Sequence, residues 1–343
     1  MGAHRAALAR LTAGLIVIAG ASLAWLHPWT RPPHPPTEVR SIQVLSARTA
    51  FVLADPNTVY ETTDSGAGWR RFAVQPESEV NFIDARHGFQ ATETRLLATA
   101  DGGRSWQLRR LPDGQRFAPG AWFLDADHGW YLNLDFLPGT GLPRHLYRTL
   151  DGGRTWELLW SGTSGTAQVP VFSDLEHGWM VADLSVLATA DGGRTWTRLG
   201  APRLSSRAGV RLAHGALVEY SSHLSESGDV LWDAAVSADG GATWVGPVRS
   251  PGYGILDLAF ADARNWRAIS RVEVWRTDDA GGSWQPLTAR LPAGAWLDSI
   301  RYPDASVGWA LAGTTAVPFP TGILRTTDGG ASWTPISGPW QSS

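Results

Sequence analysis

Seven aspartates stand out because each occupies the same place in one recurring motif, Ser/Thr-x-Asp-x-Gly-x-x-Trp. They are Asp64, Asp101, Asp151, Asp191, Asp239, Asp279 and Asp328, at intervals of 37, 50, 40, 48, 40 and 49 residues. Each motif closes on a tryptophan: Trp69, Trp106, Trp156, Trp196, Trp244, Trp284 and Trp333. Carboxylates can act as acids or metal ligands, but one identical residue per repeat is what a scaffold position requires. The aspartate carboxylate and the Ser/Thr hydroxyl can accept turn N–H groups that no strand partner reaches. Glycine supplies a positive φ, and the tryptophan starts the next strand while its indole N–H finds a partner. The aspartates are therefore read as structural. Histidine precedes glycine at His87, His128, His177 and His214. Equivalent turns of different repeats would spread these around a ring, so they too read as turn residues and not as a metal site.

Composition removes further chemistries. The 343 residues include no cysteine, which excludes disulfides, thiolate nucleophiles or ligands, and a lipid-bearing cysteine. All 29 basic residues are arginine, so Schiff-base and P-loop chemistry are excluded as well. A net charge of -3 argues against a nucleic-acid partner, and the 43% hydrophobic content requires a folded chain.

The elements that position these residues follow from the period. Repeats of 40 to 50 residues with strand-like flanks are the mark of propeller blades. A second element precedes each motif: SARTAF (46–51), ARHGF (85–89), ADHGW (126–130), LEHGW (175–179), LAHGA (212–216), ARNW (263–266) and SVGW (306–309). Each blade thus reads as strand A, a Gly-aromatic turn, strand B, a connection, strand C, the aspartate motif and strand D. The predicted fold is all-β, a seven-bladed β-propeller of four-stranded antiparallel blades over residues 38–343, preceded by an N-terminal apolar helix. With strand A of the first blade near Val39 and strand D of the last at 333–337, no strand remains to be exchanged between the termini. The ring is expected to close by sheet packing alone, as a monomer.

Ahead of this body, Arg5 and Arg10 flank an uncharged run from Leu11 to Leu26. Residues 1–27 read either as a cleaved signal peptide, with small-x-small sites at Ala19-Gly20-Ala21 and Ser22-Leu23-Ala24, or as an uncleaved anchor edged by Trp25 and Trp29. Residues 28–37 hold five prolines and form a stiff linker. Both readings place the body outside the cytoplasm.

The aspartate motif resembles that of the BNR/Asp-box repeat propellers, which include sialidases, xyloglucan hydrolases and sortilin-type receptors. The pairing of HGW with the motif at short range, as in 177–179 and 189–196, is most similar to the photosystem II assembly and stability factor-like propellers. The resemblance implies a ligand face opposite the boxes, built from the B–C and D–A connections. Extra length falls there in alternate blades: 133–145, 220–230 and 312–320. These segments nominate Phe136, Arg144, His145, Tyr220, His223 and Phe319 for partner contact, loops on a rigid scaffold being common recognition sites. Arg116 with Trp122, and Arg290 with Trp296, share a six-residue separation at the start of blades 3 and 7, where the tryptophans are expected at the channel mouth. A sialidase-like site would need converging arginines and a paired tyrosine and glutamate, and no such pairing is evident. The expected function is a non-catalytic, membrane-proximal assembly or scaffolding module that binds a protein partner, without cofactor or metal. The alternative is a secreted glycan-binding or glycoside-hydrolysing propeller directed at cell-surface polysaccharide.

Overall fold

In a computed structural model, the structure describes residues 38–341 apart from 55, 56, 77, 93, 94, 113–119, 134–143, 163–167, 184, 201–208, 214, 227, 229, 253, 272, 317 and 318. The signal or anchor segment with its helix, the linker, His214, Arg116 and Phe136 lie outside the described residues. Twenty-eight strands form seven four-stranded antiparallel sheets, each built from four consecutive strands. The first blade is Val39–Val44, Ala50–Ala54, Thr58–Thr62 and Arg70–Ala73, strands A to D. The others occupy 79–109, 121–162, 171–198, 209–249, 257–287 and 295–336. The A strands of neighbouring blades approach one another, so A is innermost and D is the rim. The seven-bladed expectation holds, and no strand is exchanged among the described residues.

Each sheet has two faces to cover and only its neighbours to cover them. The buried apolar side chains accordingly form seven clusters, one at each junction between successive blades, the last joining blade 7 to blade 1. The Gly-aromatic turns build these junctions. Gly129 opens strand B of blade 3 directly across from Phe123 of strand A, whose ring lies where a Cβ on Gly129 would sit. The next residue, Trp130, is fully buried and stacks on Phe172 of blade 4, with centroids 3.6 Å apart. Phe51 and Phe82 repeat the arrangement between blades 1 and 2 at 3.8 Å. A glycine therefore admits its own blade's ring while its neighbour's ring reaches the next blade.

The aspartate boxes are the C–D turns. In the fourth box, the Thr189 hydroxyl donates to Asp191 Oδ1 (2.8 Å) and accepts from the Gly193 N–H (2.9 Å). Asp191 Oδ1 accepts the Thr195 N–H (2.9 Å), and Oδ2 accepts the Thr195 hydroxyl (2.6 Å). The fourth residue after the aspartate is a working part of the motif, missed in the pattern Ser/Thr-x-Asp-x-Gly-x-x-Trp. Six of the seven copies carry Ser or Thr there, which was the available signal. The residue after each aspartate takes a positive φ even where it is not glycine, as at Ser65 (69°) and Ala280 (60°).

Boxes also join blades. The carbonyl at the first glycine position accepts a donor from the preceding blade in several copies: Arg109 Nε to Gly152 O (2.9 Å), Trp130 Nε1 to Gly192 O (2.9 Å), Trp179 Nε1 to Gly240 O (2.9 Å) and Arg267 Nε to Gly329 O (2.7 Å). The box tryptophans divide. Trp69, Trp156 and Trp284 donate to carbonyls at the end of the preceding blade, whereas Trp196, Trp244 and Trp333 donate to their own box glycine. Trp106 has no hydrogen-bond partner for its indole nitrogen. The histidine turns are structural as expected: Asp84, Asp125 and Asp174 each accept the backbone N–H of the histidine three residues on and also meet its Nδ1, at 2.8 to 3.0 Å.

Closure falls to a residue the sequence did not single out. Trp340, in a 3-10 turn at Pro339–Gln341, is 2% exposed and meets Trp69 and Tyr60 of blade 1 edge-on, at 4.8 and 5.3 Å. It belongs to the cluster that joins blade 7 to blade 1. Trp340→Ala should cost about 3–5 kcal/mol, read as a lower urea midpoint, because a large ring leaves a cavity at the seam. Acid should also loosen the ring. The Thr277 hydroxyl, followed by the Ser283 N–H, holds the Asp279 carboxyl down at about 2. A carboxyl depressed in the folded state stabilises fully above its unfolded value and loses that effect as pH falls toward 2. Tryptophan-fluorescence midpoints should therefore drop between about pH 4 and pH 2, and Asp279→Asn should reduce the drop.

Candidate partner-binding face

Four antiparallel strands per blade put the A–B turns and the boxes on one face of the ring. The B–C and D–A connections share the other. On that second face the structure places the nominated residues unevenly. Arg144 and His145 open strand C of blade 3, Arg144–Thr149, both half-buried, with His145 Nδ1 2.7 Å from Ser161 Oγ. Segment 220–230 is not a loop. Strand B of blade 5 runs Ala216–Leu224 and strand C runs Val230–Ser237, paired from Leu217↔Ser237 to Leu224↔Val230. The alternating pattern of VEYSSHL continues the strand past the expected turn, and the extra residues make a long hairpin with Leu224 68% exposed at its tip. Tyr220 is buried in the junction with blade 6, under the Arg211 guanidinium at 4.7 Å. His223 faces Asp233 (3.3 Å), which also accepts Arg249 Nε (3.1 Å). Phe319 is half-buried in the B–C connection of blade 7.

The two arginine–tryptophan pairs are not matched structures. Trp122 is half-buried, opposite Trp130 in the strand pairing and 5.8 Å from it ring to ring. Trp296 is 6% exposed, its indole donating to Thr314 O at 2.9 Å. Arg290 lies away at the rim, where its backbone pairs with Ala331 and Trp333 of the seventh box. The cation over Trp296 is instead Arg271, 4.8 Å above the ring, from the B–C turn of blade 6. That turn also bonds strand A of blade 7 through Leu297 N to Arg271 O (2.8 Å).

Next to Trp296 lies a charged group that the sequence reading passed over. Strand A of blade 7, Ala295–Arg301, slips register between Leu297 and Ser299, and Asp298 is the bulged residue. Bulges re-aim side chains. Burial, and then the nearby Asp257 carboxylate, push the Asp298 carboxyl up to about 6, against the pull of Arg271 and Arg301. Asp257 is held differently. It accepts Arg301 Nη1 (2.8 Å), Ile300 N (3.0 Å) and Leu258 N (2.9 Å). The inner end of blades 6 and 7 thus presents one satisfied and one unsatisfied carboxylate beside a stacked arginine, a setting suited to polar contact with a partner. Among the described residues, no three His, Asp or Glu side chains gather as a metal would require.

Fold and face together define a seven-bladed antiparallel β-propeller with its alternate-blade connections on the side away from the boxes. No family model matches the sequence. The chain is similar to the photosystem II assembly lipoprotein Ycf48 of Synechococcus sp. (strain CC9902), 25% identical over 291 residues, 79% of each chain. A shorter likeness joins it to the chloroplastic photosystem II stability/assembly factor HCF136 of Cyanidioschyzon merolae, 38% over 66 residues, covering 18% of this chain and 15% of that one. Among solved structures, YCF48 bound to a D1 peptide superposes with a TM-score of 0.52 at 16% identity, covering 86% of this chain and 98% of the other. YCF48 from Cyanidioschyzon merolae gives 0.55 at 19%, covering 87% and 97%. A GH74 enzyme of Niastella koreensis gives 0.57 at 15%, but only 53% of that chain is matched. These superpositions show the shared fold. The curated relatives are assembly factors, not enzymes, in agreement with the non-catalytic expectation.

A carboxyl raised in the folded state stabilises below its unfolded value, and that contribution is lost as pH rises through about 6 for Asp298. Asp298→Asn should therefore raise stability at pH 7 by about 1 kcal/mol, reduced by partial solvent screening, and leave it unchanged at pH 4. Urea midpoints at the two pH values check this.

Proposed function

We propose that this chain is a non-catalytic assembly propeller that binds a protein partner at or near a membrane, outside the cytoplasm. The supporting observation is the likeness to Ycf48 over 79% of both chains, together with a solved YCF48 that carries a D1 peptide. On this reading the aspartate motifs are repeats of the BNR type, and the partner segment lies across the face opposite them. It meets the long hairpin of blade 5, the Arg144–His145 edge of blade 3 and the connection around Phe319. Exposed Leu224 offers an apolar contact, while Asp298 and Arg271 offer charged ones at the channel mouth. A stable complex would bury about 800 Å² on each partner.

The N-terminal apolar run serves in this reading as export signal or anchor. The Synechococcus relative is a lipoprotein by name, whereas these 343 residues hold no cysteine to acylate, so the apolar run and the proline-rich linker would tether the propeller. Replacing 134–143, 225–229 and 315–319 together with short turns should abolish recovery of the partner in a crosslinked pull-down from host membranes. Undiminished recovery from a folded triple variant would defeat the proposal.

A further inference from the structure

Six of the seven boxes satisfy both carboxylate oxygens of their aspartate. Oδ1 accepts a backbone N–H, and Oδ2 accepts the hydroxyl four residues on, from Ser105, Thr155, Thr195, Thr243, Ser283 or Ser332, at 2.5 to 2.7 Å. The first box is different. Gly68 stands where the hydroxyl residue should be. Its N–H still reaches Asp64 Oδ1 at 2.9 Å, but Oδ2 lacks the hydroxyl its counterparts receive. At that place a cleft of about 470 Å³ opens between blades 1 and 2, on the box face and away from the proposed partner face.

The groups around it are chemically mixed. Glu61 and Arg70 neutralise each other, with Nε to Oε2 at 2.7 Å, and Arg70 also donates to the Gly102 carbonyl. That leaves two exposed cations on the lining. The Arg86 guanidinium makes no hydrogen bond or ion pair among the described residues, and Arg104 spends one nitrogen on Asp101 O (2.7 Å). Trp69 completes the wall with a half-exposed indole whose N–H is already committed to Ser337 O (3.0 Å), so what it offers is its ring.

We propose that this cleft binds an acidic saccharide, one hexuronate unit at a time. The carboxylate would lie between Arg86 and Arg104, the C–H face of the sugar would cover the Trp69 ring, and a ring hydroxyl would donate to Asp64 Oδ2. Each lining group then has a use. A neutral sugar leaves both arginines unanswered, inorganic phosphate or sulfate meets the Asp64 charge, and a peptide carboxylate brings no saturated ring to the indole. The volume lies at the small end of ordinary ligand sites, which suits one or two sugar rings. Uniting the arginine fork with a planar carboxylate supplies orientation as well as charge. This site lies on the opposite face from the protein-binding surface, so its failure would leave that reading standing, and the reverse.

The test is calorimetric titration of the full chain with D-galacturonate and D-glucuronate, against galactose, acetyl-alanine and inorganic phosphate. A uronate should bind at least about tenfold more tightly than galactose, since the neutral sugar leaves charged donors unpaired. Arg86→Ala with Arg104→Ala should cost about tenfold or more. The decisive variant is Gly68→Ser. It restores the residue type found in the other boxes, so it should fold with an equal or higher unfolding midpoint, yet its hydroxyl would occupy Asp64 Oδ2 and its side chain would fill the cleft. Loss of uronate binding in folded Gly68→Ser supports the site. No uronate binding at about 10 mM, unchanged binding in Gly68→Ser, or equal binding of acetyl-alanine or phosphate would overturn it.

Discussion

No blade of this ring can bury its own faces, and everything else in the structure answers that constraint. A twisted four-stranded sheet on its own leaves apolar side chains on both sides in water. Here each side is covered by the next blade, through seven separate apolar layers where a single-core domain would have one. The stacked rings at Phe51–Phe82 and Trp130–Phe172 set the spacing of those layers, and glycines across from Phe82 and Phe123 make room for them. The box carbonyls that accept Arg109, Trp130, Trp179 and Arg267 from the preceding blade fix the angle at the rim. Apolar packing thus sets the distance between blades, and hydrogen bonds to the turns set their orientation.

The ring was readable in the sequence because its determinants are local and repeated. Asp, Gly and Trp recur at fixed offsets within eight residues, and each offset has a short-range cause in turn geometry. What stayed hidden depends on partners far along the chain. Arg271 covers Trp296 from a turn of the previous blade, and the Asp298 carboxyl is perturbed by its burial and by Asp257 on a neighbouring strand. The arginine that spacing paired with Trp296, Arg290, lies at the rim because strand D of blade 6 carries it there before the chain returns inward. The blade 5 hairpin was misread for a different reason: Ser and His on its outward face look like a loop, while alternation continues beneath them. One local clue did lie in plain view. Gly68 is the lone departure from Ser or Thr among seven equivalent positions, and it coincides with the cleft between blades 1 and 2.

The two faces of the ring are built from different kinds of segment. The box face is made of short turns in which nearly every polar group is already engaged, as in the Thr189–Asp191–Thr195 set. The opposite face carries connections whose length varies between blades, so it can change without disturbing the turns that hold the sheets. A scaffold of this kind tolerates divergence on one side only, which fits a chain that keeps the architecture of its relatives at 15 to 25% identity.

Trp340 follows all seven blades in the chain, yet it seats against Tyr60 and Trp69 of the first. Each blade is built from consecutive strands and can assemble as it leaves the ribosome or a translocation pore. The seam cannot form until the final clasp has emerged. During that interval the apolar flanks of the first and last sheets both face solvent. Vectorial synthesis or export therefore leaves an open horseshoe whose two sticky ends must be shielded, by a chaperone or by speed, before the circle shuts.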